Sequence, residues 1–172
     1  MNTLIYGADD GVKVILSITA LLIAVLGLTA LVDMLLGMML SGLSLKVILT
    51  YLVYPLTWML GVAPADVGLV AGLIGEKLVL TEVVAYQDLA GLLADNAFSD
   101  PRSAVIAAYA LCGFTHIASV AIFVGAVTTI APEKAKEISQ VAFRALIAAV
   151  LACLMTGGIA GIFYRGSTLL LR

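Results

Sequence analysis

Four long stretches without a formal charge constrain this chain more than any other feature of its sequence. They cover residues 14–32, 47–65, 103–132 and 145–164. About 20 consecutive apolar residues in a helix cross the hydrocarbon core of a bilayer. A helix satisfies its own backbone hydrogen bonds, which lipid cannot do for it. The sequence therefore predicts an all-α integral membrane protein.

The composition excludes several classes of function. Only 12% of the residues are charged and 63% are hydrophobic, whereas an ordinary soluble domain has about 25% charged residues. A soluble enzyme is therefore excluded, and a net charge of −2 offers no basic surface for nucleic acid. His116 is the only histidine, and the sequence has neither G-x-S-x-G nor H-E-x-x-H. We expect no enzyme, no metal centre and no bound cofactor.

The apolar pattern divides the chain into five helical segments: 12–40, 44–60, 64–95, 101–131 and 132–164. The first, fourth and last are each long enough to span a membrane. The second carries Tyr51, Tyr54 and Trp58 on one helix face. These residue types favour the membrane–water boundary, so we expect an interfacial helix, with a full span as the alternative. Asp66 and Asp100 mark predicted helix starts.

The third segment is apolar but contains four ionisable residues: Glu76, Lys77, Glu82 and Asp88. Each costs about 2.5–3.5 kcal/mol near the centre of a lipid-facing helix. We therefore predict a re-entrant helical hairpin with arms 67–75 and 78–93 and a tip at Gly75-Glu76-Lys77, shielded by protein or facing water. At the tip, Glu76 and Lys77 form either a local ion pair or a gate. Glu82 either binds a ligand or pairs structurally with Lys77.

The fourth segment, 101–131, is longer than one span and contains Gly113-Phe114-Thr115-His116 near its middle. Glycine tolerates unusual backbone angles, so we expect the helix to break at Gly113. Transporters build binding sites from such broken helices near the membrane centre. His116 and Ser119 share one face if that stretch is helical. From the residues alone, His116 is either a satisfied core residue or a ligand-binding one.

Two motifs resemble the concentrative nucleoside transporter family. Residues 75–86, GEKLVLTEVVAY, resemble the family pattern G-T-K-L-V-L-N-E-F-V-A-Y. Residues 109–122, YALCGFTHIASVAI, resemble Y-A-L-C-G-F-A-N-F-S-S-I-A-I. The tripeptide A-P-E at 131–133 is a third match. The resemblance covers nearly the whole chain, but only the C-terminal half of the family.

The resemblance implies roles for the residues at matching positions. Glu82 matches a glutamate that hydrogen-bonds ribose hydroxyls, and His116 and Ser119 match an asparagine and a serine that meet the ribose. Phe114 matches a phenylalanine that lies against the base. With Thr81, which directly precedes the glutamate, these are the predicted substrate-binding residues.

Three departures from the family pattern bear on the ligand. Thr81 stands where the family has asparagine, Glu76 where it has threonine, and His116 where it has the ribose-binding asparagine. We expect these changes to favour a ligand related to, but different from, the usual nucleosides.

Family members carry nucleosides inward on a sodium or proton gradient, form trimers and contain two inverted repeats. The resemblance implies that this chain supplies the second repeat, preceded by a scaffold helix at 12–40. We expect a half-transporter in the bacterial inner (plasma) membrane that works by alternating access. Its expected partners are a chain that carries the first repeat and further copies of itself in a homotrimer. The coupling cation would bind mostly outside this chain. The alternative is a non-transporting membrane subunit or truncated product with an assembly or binding role.

Overall fold

The computed structural model describes residues 2–40 and 42–166, and within these residues the secondary structure is entirely helical. The helices follow one another in the order α1 (Asn2–Met39), α2 (Leu45–Met59), α3 (Val67–Val79), α4 (Glu82–Ala94), α5 (Pro101–Leu111), α6 (Ile117–Ile130), a short 3-10 helix (Pro132–Lys134) and α7 (Ala135–Phe163). The all-α prediction is confirmed.

Of the described helices, two are long and apolar enough to cross a bilayer, over Gly7–Met38 and Pro132–Phe163. Many of their large apolar side chains are exposed, among them Leu16, Ile23, Phe143 and Ile162. A water-soluble protein rarely exposes continuous apolar surface of this kind, whereas lipid solvates it. These two helices therefore have the surface expected of membrane-facing elements.

The first helix begins at Asn2, earlier than the predicted start at residue 12. Its polar first turns remain helical because Lys13 pairs with Asp9 one turn earlier, with Nζ and Oδ2 2.6 Å apart. Pairs at this spacing stabilise an exposed helix by a few tenths of a kcal/mol.

The core forms around α3, which packs against α2, α4 and α5. Its buried apolar residues include Val70, Ala71, Ile74, Ile106 and Leu111. Glycines permit the close approach of neighbouring helices, as in other membrane proteins. A Cβ on Gly75 would lie 2.5 Å from the Thr50 hydroxyl oxygen of α2, and one on Gly157 would lie 2.8 Å from the Ile106 carbonyl oxygen of α5. Helix α1 lies outside this core and packs mainly on α6.

The hairpin tip differs from the prediction. We expected a turn at Gly75-Glu76-Lys77, but α3 continues to Val79 and the chain turns at Leu80 and Thr81. The prediction was wrong because Glu76 and Lys77 find partners on other helices and need no polar turn. Thr81 instead adopts an extended conformation and caps α4, accepting a hydrogen bond from the Val84 amide at 3.4 Å.

The second helix, Leu45–Met59, is capped by Ser44, whose hydroxyl accepts a hydrogen bond from the Val47 amide. Its first amide is also held by α1, because Asp33 Oδ1 accepts from the Leu45 amide at 2.6 Å. Tyr51 and Trp58 are exposed, which is compatible with the boundary location expected for this helix. That location stays a prediction.

Asp66 is almost fully buried, with 1% of its surface exposed, in the turn before α3. The sequence suggested that it starts α3, but its side chain makes no capping bond there. Instead Oδ1 accepts from the Ser99 amide at 2.8 Å and Oδ2 from the Asp100 amide at 3.1 Å. Burial alone would raise the pKa of Asp66, but hydrogen bonds from Ser99, Ser103 and Asp100 outweigh it and hold the pKa below the usual value for aspartate. Asp66 therefore joins the start of the hairpin to the start of α5.

We expect Asp66→Ala to lower the free energy of unfolding by about 3 kcal/mol, because it leaves two amides without their acceptor. The folded-state pKa is lowered, so this contribution is present above the pKa of unfolded aspartate and is lost as the pH falls through the folded value. Thermal unfolding of the purified protein in detergent, measured from neutral to acid pH, tests this. Asp95→Ala, at an exposed carboxylate, is the matched control. Equal losses in the two variants would contradict the assignment.

Candidate functional site

The fourth segment breaks between α5 and α6, leaving Cys112 to His116 outside both helices. His116 has an extended backbone and caps α6 through its side chain, with Nδ1 accepting from the Ser119 amide at 3.2 Å. In return, the Ser119 hydroxyl accepts from the His116 amide at 3.1 Å and donates to the His116 carbonyl at 2.5 Å. This reciprocal pair fixes the imidazole ring and satisfies backbone amides at the N-terminal end of α6.

The break brings His116 to the start of α4. His116 Nε2 lies 3.3 Å from Glu82 Oε2, and Glu82 is the first residue of that helix. The N-termini of two half-helices therefore meet at this point. Helix N-termini carry partial positive charge, which favours the Glu82 carboxylate between them.

The two facing atoms of this pair are shielded from solvent but not well bonded. Neither Glu82 Oε2 nor His116 Nε2 has a hydrogen-bond partner of good geometry in the described part of the chain. His116 is 1% exposed, whereas the Glu82 side chain is 24% exposed and can be reached from outside. Buried polar groups are rarely left in this condition. The pair is thus prepared to accept a third polar group.

The cap on α6 also decides which imidazole nitrogen carries the proton. Because Nδ1 accepts from the Ser119 amide, a neutral imidazole carries its proton on Nε2, facing Glu82. A hydroxyl that lies beside the pair, within reach of both atoms, can accept from Nε2 and donate to the carboxylate. Ser119 therefore orients His116, since its own hydroxyl is already used within the cap.

Lys77 lies in the same region, buried at 2% exposure within α3. Its Nζ donates to the Ala110 carbonyl at 3.0 Å, in the last turn of α5. A cation at a helix C-terminus is favoured by the helix dipole. Lys77 thus holds the hairpin against the broken helix, close to the break.

Glu76 and Lys77 do not form the local pair considered from the sequence. Adjacent helix residues point in different directions, and Glu76 pairs instead with Lys46 of α2, with Oε1 and Nζ 2.6 Å apart. Because neither residue lies at the turn, the assignment of Glu76 and Lys77 to the hairpin tip was wrong.

Phe114 is 44% exposed beside the polar pair. Its ring contacts the His116 ring edge-on, with centroids 4.7 Å apart, and the Phe123 ring at 6.0 Å. Phe114, Thr115 and Ser119 line one part of a 310 Å³ cavity between α6 and α7 whose remaining walls are mainly apolar. An exposed aromatic face beside a polar pair suits a flat, partly polar ligand.

The structure requires glycine at position 113 for a different reason from the one predicted. Its φ is not among the positive values found in the described residues, so unusual backbone angles do not explain the glycine. A Cβ there would overlap Sγ of Cys153 on α7. The close approach of the break to α7 therefore requires glycine.

Tyr86 was not assigned a role from the sequence. Its hydroxyl donates to the Ala108 carbonyl at 2.7 Å, which joins α4 to α5. Tyr86 follows Glu82 by one helical turn, so this spacing was the signal that the two share a face. With Lys77, it fixes the hairpin to the first half of the broken helix.

Comparison with known proteins gives consistent matches. Residues 1–161 match the family described as Na+ dependent nucleoside transporter C-terminus. The chain is 37% identical to the uncharacterized transporter YutK of Bacillus subtilis, over 91% of this chain and 39% of that protein. It is 35% identical to sodium/nucleoside cotransporter 1 of Mus musculus, over 92% of this chain and 27% of that protein.

The fold is similar to that of CNTnw. A CNTnw variant in an outward-facing state aligns with a TM-score of 0.86 and 32% identity, over 92% of this chain and 41% of that one. CNTnw in an inward-facing substrate-bound state aligns with a TM-score of 0.71 and 33% identity, over 92% and 38%. The chain spans less than half the length of each of these proteins.

We expect Gly113→Ala to destabilise the protein by about 1–3 kcal/mol, the usual cost of inserting a methyl group into filled space. Cys153→Ala should rescue it, because the nearest remaining atoms, Thr115 Cγ2 at 3.6 Å and the Cys153 Cβ at 3.7 Å, would be in ordinary van der Waals contact with the added Cβ. Thermal unfolding of the single and double variants measures the rescue. Cys112→Ala, which removes an exposed thiol, is the control that should not rescue. A double variant as unstable as Gly113→Ala alone would mean that backbone freedom, not close approach, requires the glycine.

Proposed function

The chain belongs to the Na+-dependent nucleoside transporter family, and on that premise we propose that its hairpin and broken helix form one half of a nucleoside-binding site. It is an integral membrane protein of a family of transporters, and we propose binding and transport, not catalysis, as its role. The observation that carries this proposal is the Glu82–His116 pair, whose two facing polar atoms are buried and lack good hydrogen bonds.

A sugar hydroxyl fits this pair because it donates and accepts at once. It would accept from His116 Nε2 and donate to Glu82 Oε2. A carboxylate can also receive a second hydroxyl, so a neighbouring diol suits Glu82. Phe114 would lie against the base, as its exposure beside His116 allows. Thr81 and Ser119 would support the site as the caps of α4 and α6.

The change from asparagine to His116 alters what the site can recognise. An asparagine amide offers both donors and an acceptor, whereas this imidazole offers only the Nε2 proton, since Nδ1 is used by Ser119. The ligand must therefore present an acceptor at that position. We propose nucleosides, or related ligands that keep a hydroxyl there.

Alternating access is the mechanism we propose. Helix α1 packs mainly on α6 and lies outside the core that joins the hairpin to α5 and α7. This arrangement supports a scaffold helix along which the remaining helices move as a unit. The higher TM-score with the outward-facing than with the inward-facing state of CNTnw supports an outward-facing arrangement.

The partners that we propose follow from the part of the relatives that this chain does not cover. Because this chain spans 39% of YutK and 27% of the mouse cotransporter, the first repeat would come from another part of the same protein or from a partner chain, in a homotrimer as the resemblance implies. The coupling cation, sodium or proton, would be a second substrate bound mostly by that repeat. A match to a Bacillus subtilis protein supports the bacterial plasma membrane as the location.

The alternative is a membrane subunit that binds a nucleoside but does not transport it. Saturable binding without uptake by the chain in liposomes, with uptake restored by a first-repeat chain, would identify a half-transporter. Binding that no such chain converts into uptake would identify the subunit.

We expect Glu82→Gln to weaken uridine binding about 10- to 100-fold, since a hydrogen bond to a charged group contributes about 1.5–3 kcal/mol. Equilibrium binding of radiolabelled uridine to the full chain in lipid nanodiscs measures this. The Glu137→Gln variant, at an exposed carboxylate on α7, should bind as the native protein does. His116→Asn should retain binding, because the amide keeps a donor. Unchanged affinity in Glu82→Gln would refute the site.

A further inference from the structure

A second polar cavity lies between α3 and α4, with a volume of 420 Å³, and Glu82 and His116 do not line it. Its charged lining residues are Lys46, Glu76, Asp88 and Asp95. Three carboxylates against one ammonium leave an excess of negative charge. A pocket of this size accommodates a small organic molecule.

Glu76 is the residue that points to a ligand. Its side chain is 7% exposed, and Oε1 pairs with Lys46 Nζ at 2.6 Å. Its other oxygen, Oε2, is shielded from solvent and has no hydrogen-bond partner in residues 2–40 and 42–166. A buried carboxylate oxygen without a donor is costly. A molecule in the cavity that carries N–H groups would supply that donor.

Asp88 brings a second carboxylate to the same end of the cavity. Its Oδ2 lies 3.8 Å from Lys46 Nζ, and its carboxyl is close enough to the Glu76 carboxyl to contact it and to repel its negative charge. Lys46 therefore stands between two carboxylates and neutralises only part of their charge. Lys77, the next residue after Glu76, points to α5 and takes no part here.

The floor of the cavity has no side chains above it because glycines form it. Gly68, Gly72 and Gly91 all line it, and a Cβ on any of them would meet nothing within 4 Å. Leu69 and Leu92 add apolar walls. An aliphatic chain can therefore lie along the groove without displacing a side chain.

The far end of the groove carries Asp95. Asp88 and Asp95 are seven residues apart, with Asp95 capping the end of α4, and both line the cavity. Two helical turns separate them by about 10 Å along the axis. Two acidic ends joined by an apolar, glycine-lined floor match a flexible chain with an ammonium group at each end.

We propose that this cavity binds a linear polyamine. One primary ammonium donates to Glu76 Oε2 and Asp88, and the other lies at Asp95. The ammonium group provides three donors, which matches an acidic pocket with one unfilled carboxylate oxygen. This binding does not depend on the nucleoside site, because the two sites share no charged residue.

Titration calorimetry on the full chain in lipid nanodiscs tests the proposal, with spermidine as the polyamine and n-butylamine as the single-ammonium comparison. We expect saturable spermidine binding about tenfold or more tighter than that of n-butylamine, because a second charged pair forms. Glu76→Gln should weaken both ligands about tenfold. Asp95→Asn should weaken spermidine toward the n-butylamine affinity and leave n-butylamine unchanged.

Two further variants keep the test decisive if Glu76→Gln does not fold. Gly72→Leu fills the floor without removing a charge and should abolish spermidine binding. Glu133→Gln removes an exposed carboxylate outside the cavity and should change nothing. Spermidine binding that survives both Glu76→Gln and Gly72→Leu, or that falls equally in Glu133→Gln, would overturn the proposal. Uridine binding, measured in parallel, reports separately on the nucleoside site.

Discussion

The fold depends on the cost of leaving a charged group without a partner in an apolar surrounding. Lys77 shows the constraint most directly: it is buried in α3 and donates to the Ala110 carbonyl at the end of α5. That carbonyl is available because α5 ends at Leu111, and the helix dipole favours a cation there. The break in one helix and the buried charge in the hairpin therefore stabilise each other, and Tyr86 adds a second bond between the same two elements.

The same constraint explains why the candidate site stands out. Most polar groups of the hairpin and the break have partners: Asp66 accepts from the Ser99 and Asp100 amides just before α5, and Thr81 and Ser119 take part in the caps of α4 and α6. Three buried side-chain atoms of the described residues have not, and they belong to Glu76, Glu82 and His116. Glu82 and His116 face each other across two half-helix ends, and Glu76 faces a separate acidic cavity. The polar groups that the fold does not use are thus the ones that a ligand can use.

Much of the architecture was predictable because hydrophobic pattern and helix-start residues are local signals. The long apolar stretches identified the membrane helices, and the polar sequence around Gly113 identified the break. The hairpin tip was predicted wrongly because a Glu-Lys pair between apolar arms looks the same in sequence whether the chain turns there or continues as a helix. Here the helix continues because Glu76 and Lys77 bind Lys46 and Ala110, which are distant in the chain. For the same reason Gly113 was assigned to backbone freedom, although the nearby thiol of Cys153 is what requires it.

The sequence by itself determined that this chain is an all-helical membrane protein of the nucleoside transporter family, and its motifs singled out Glu82 and His116. Only the tertiary structure decided that these two side chains meet, that Ser119 holds the imidazole with its proton toward Glu82, and that Glu76 belongs to a different cavity. The physical reason is the distance along the chain over which each interaction acts. Periodicity and capping act within a few residues, whereas each of these contacts joins helices whose relative position depends on packing across the whole core.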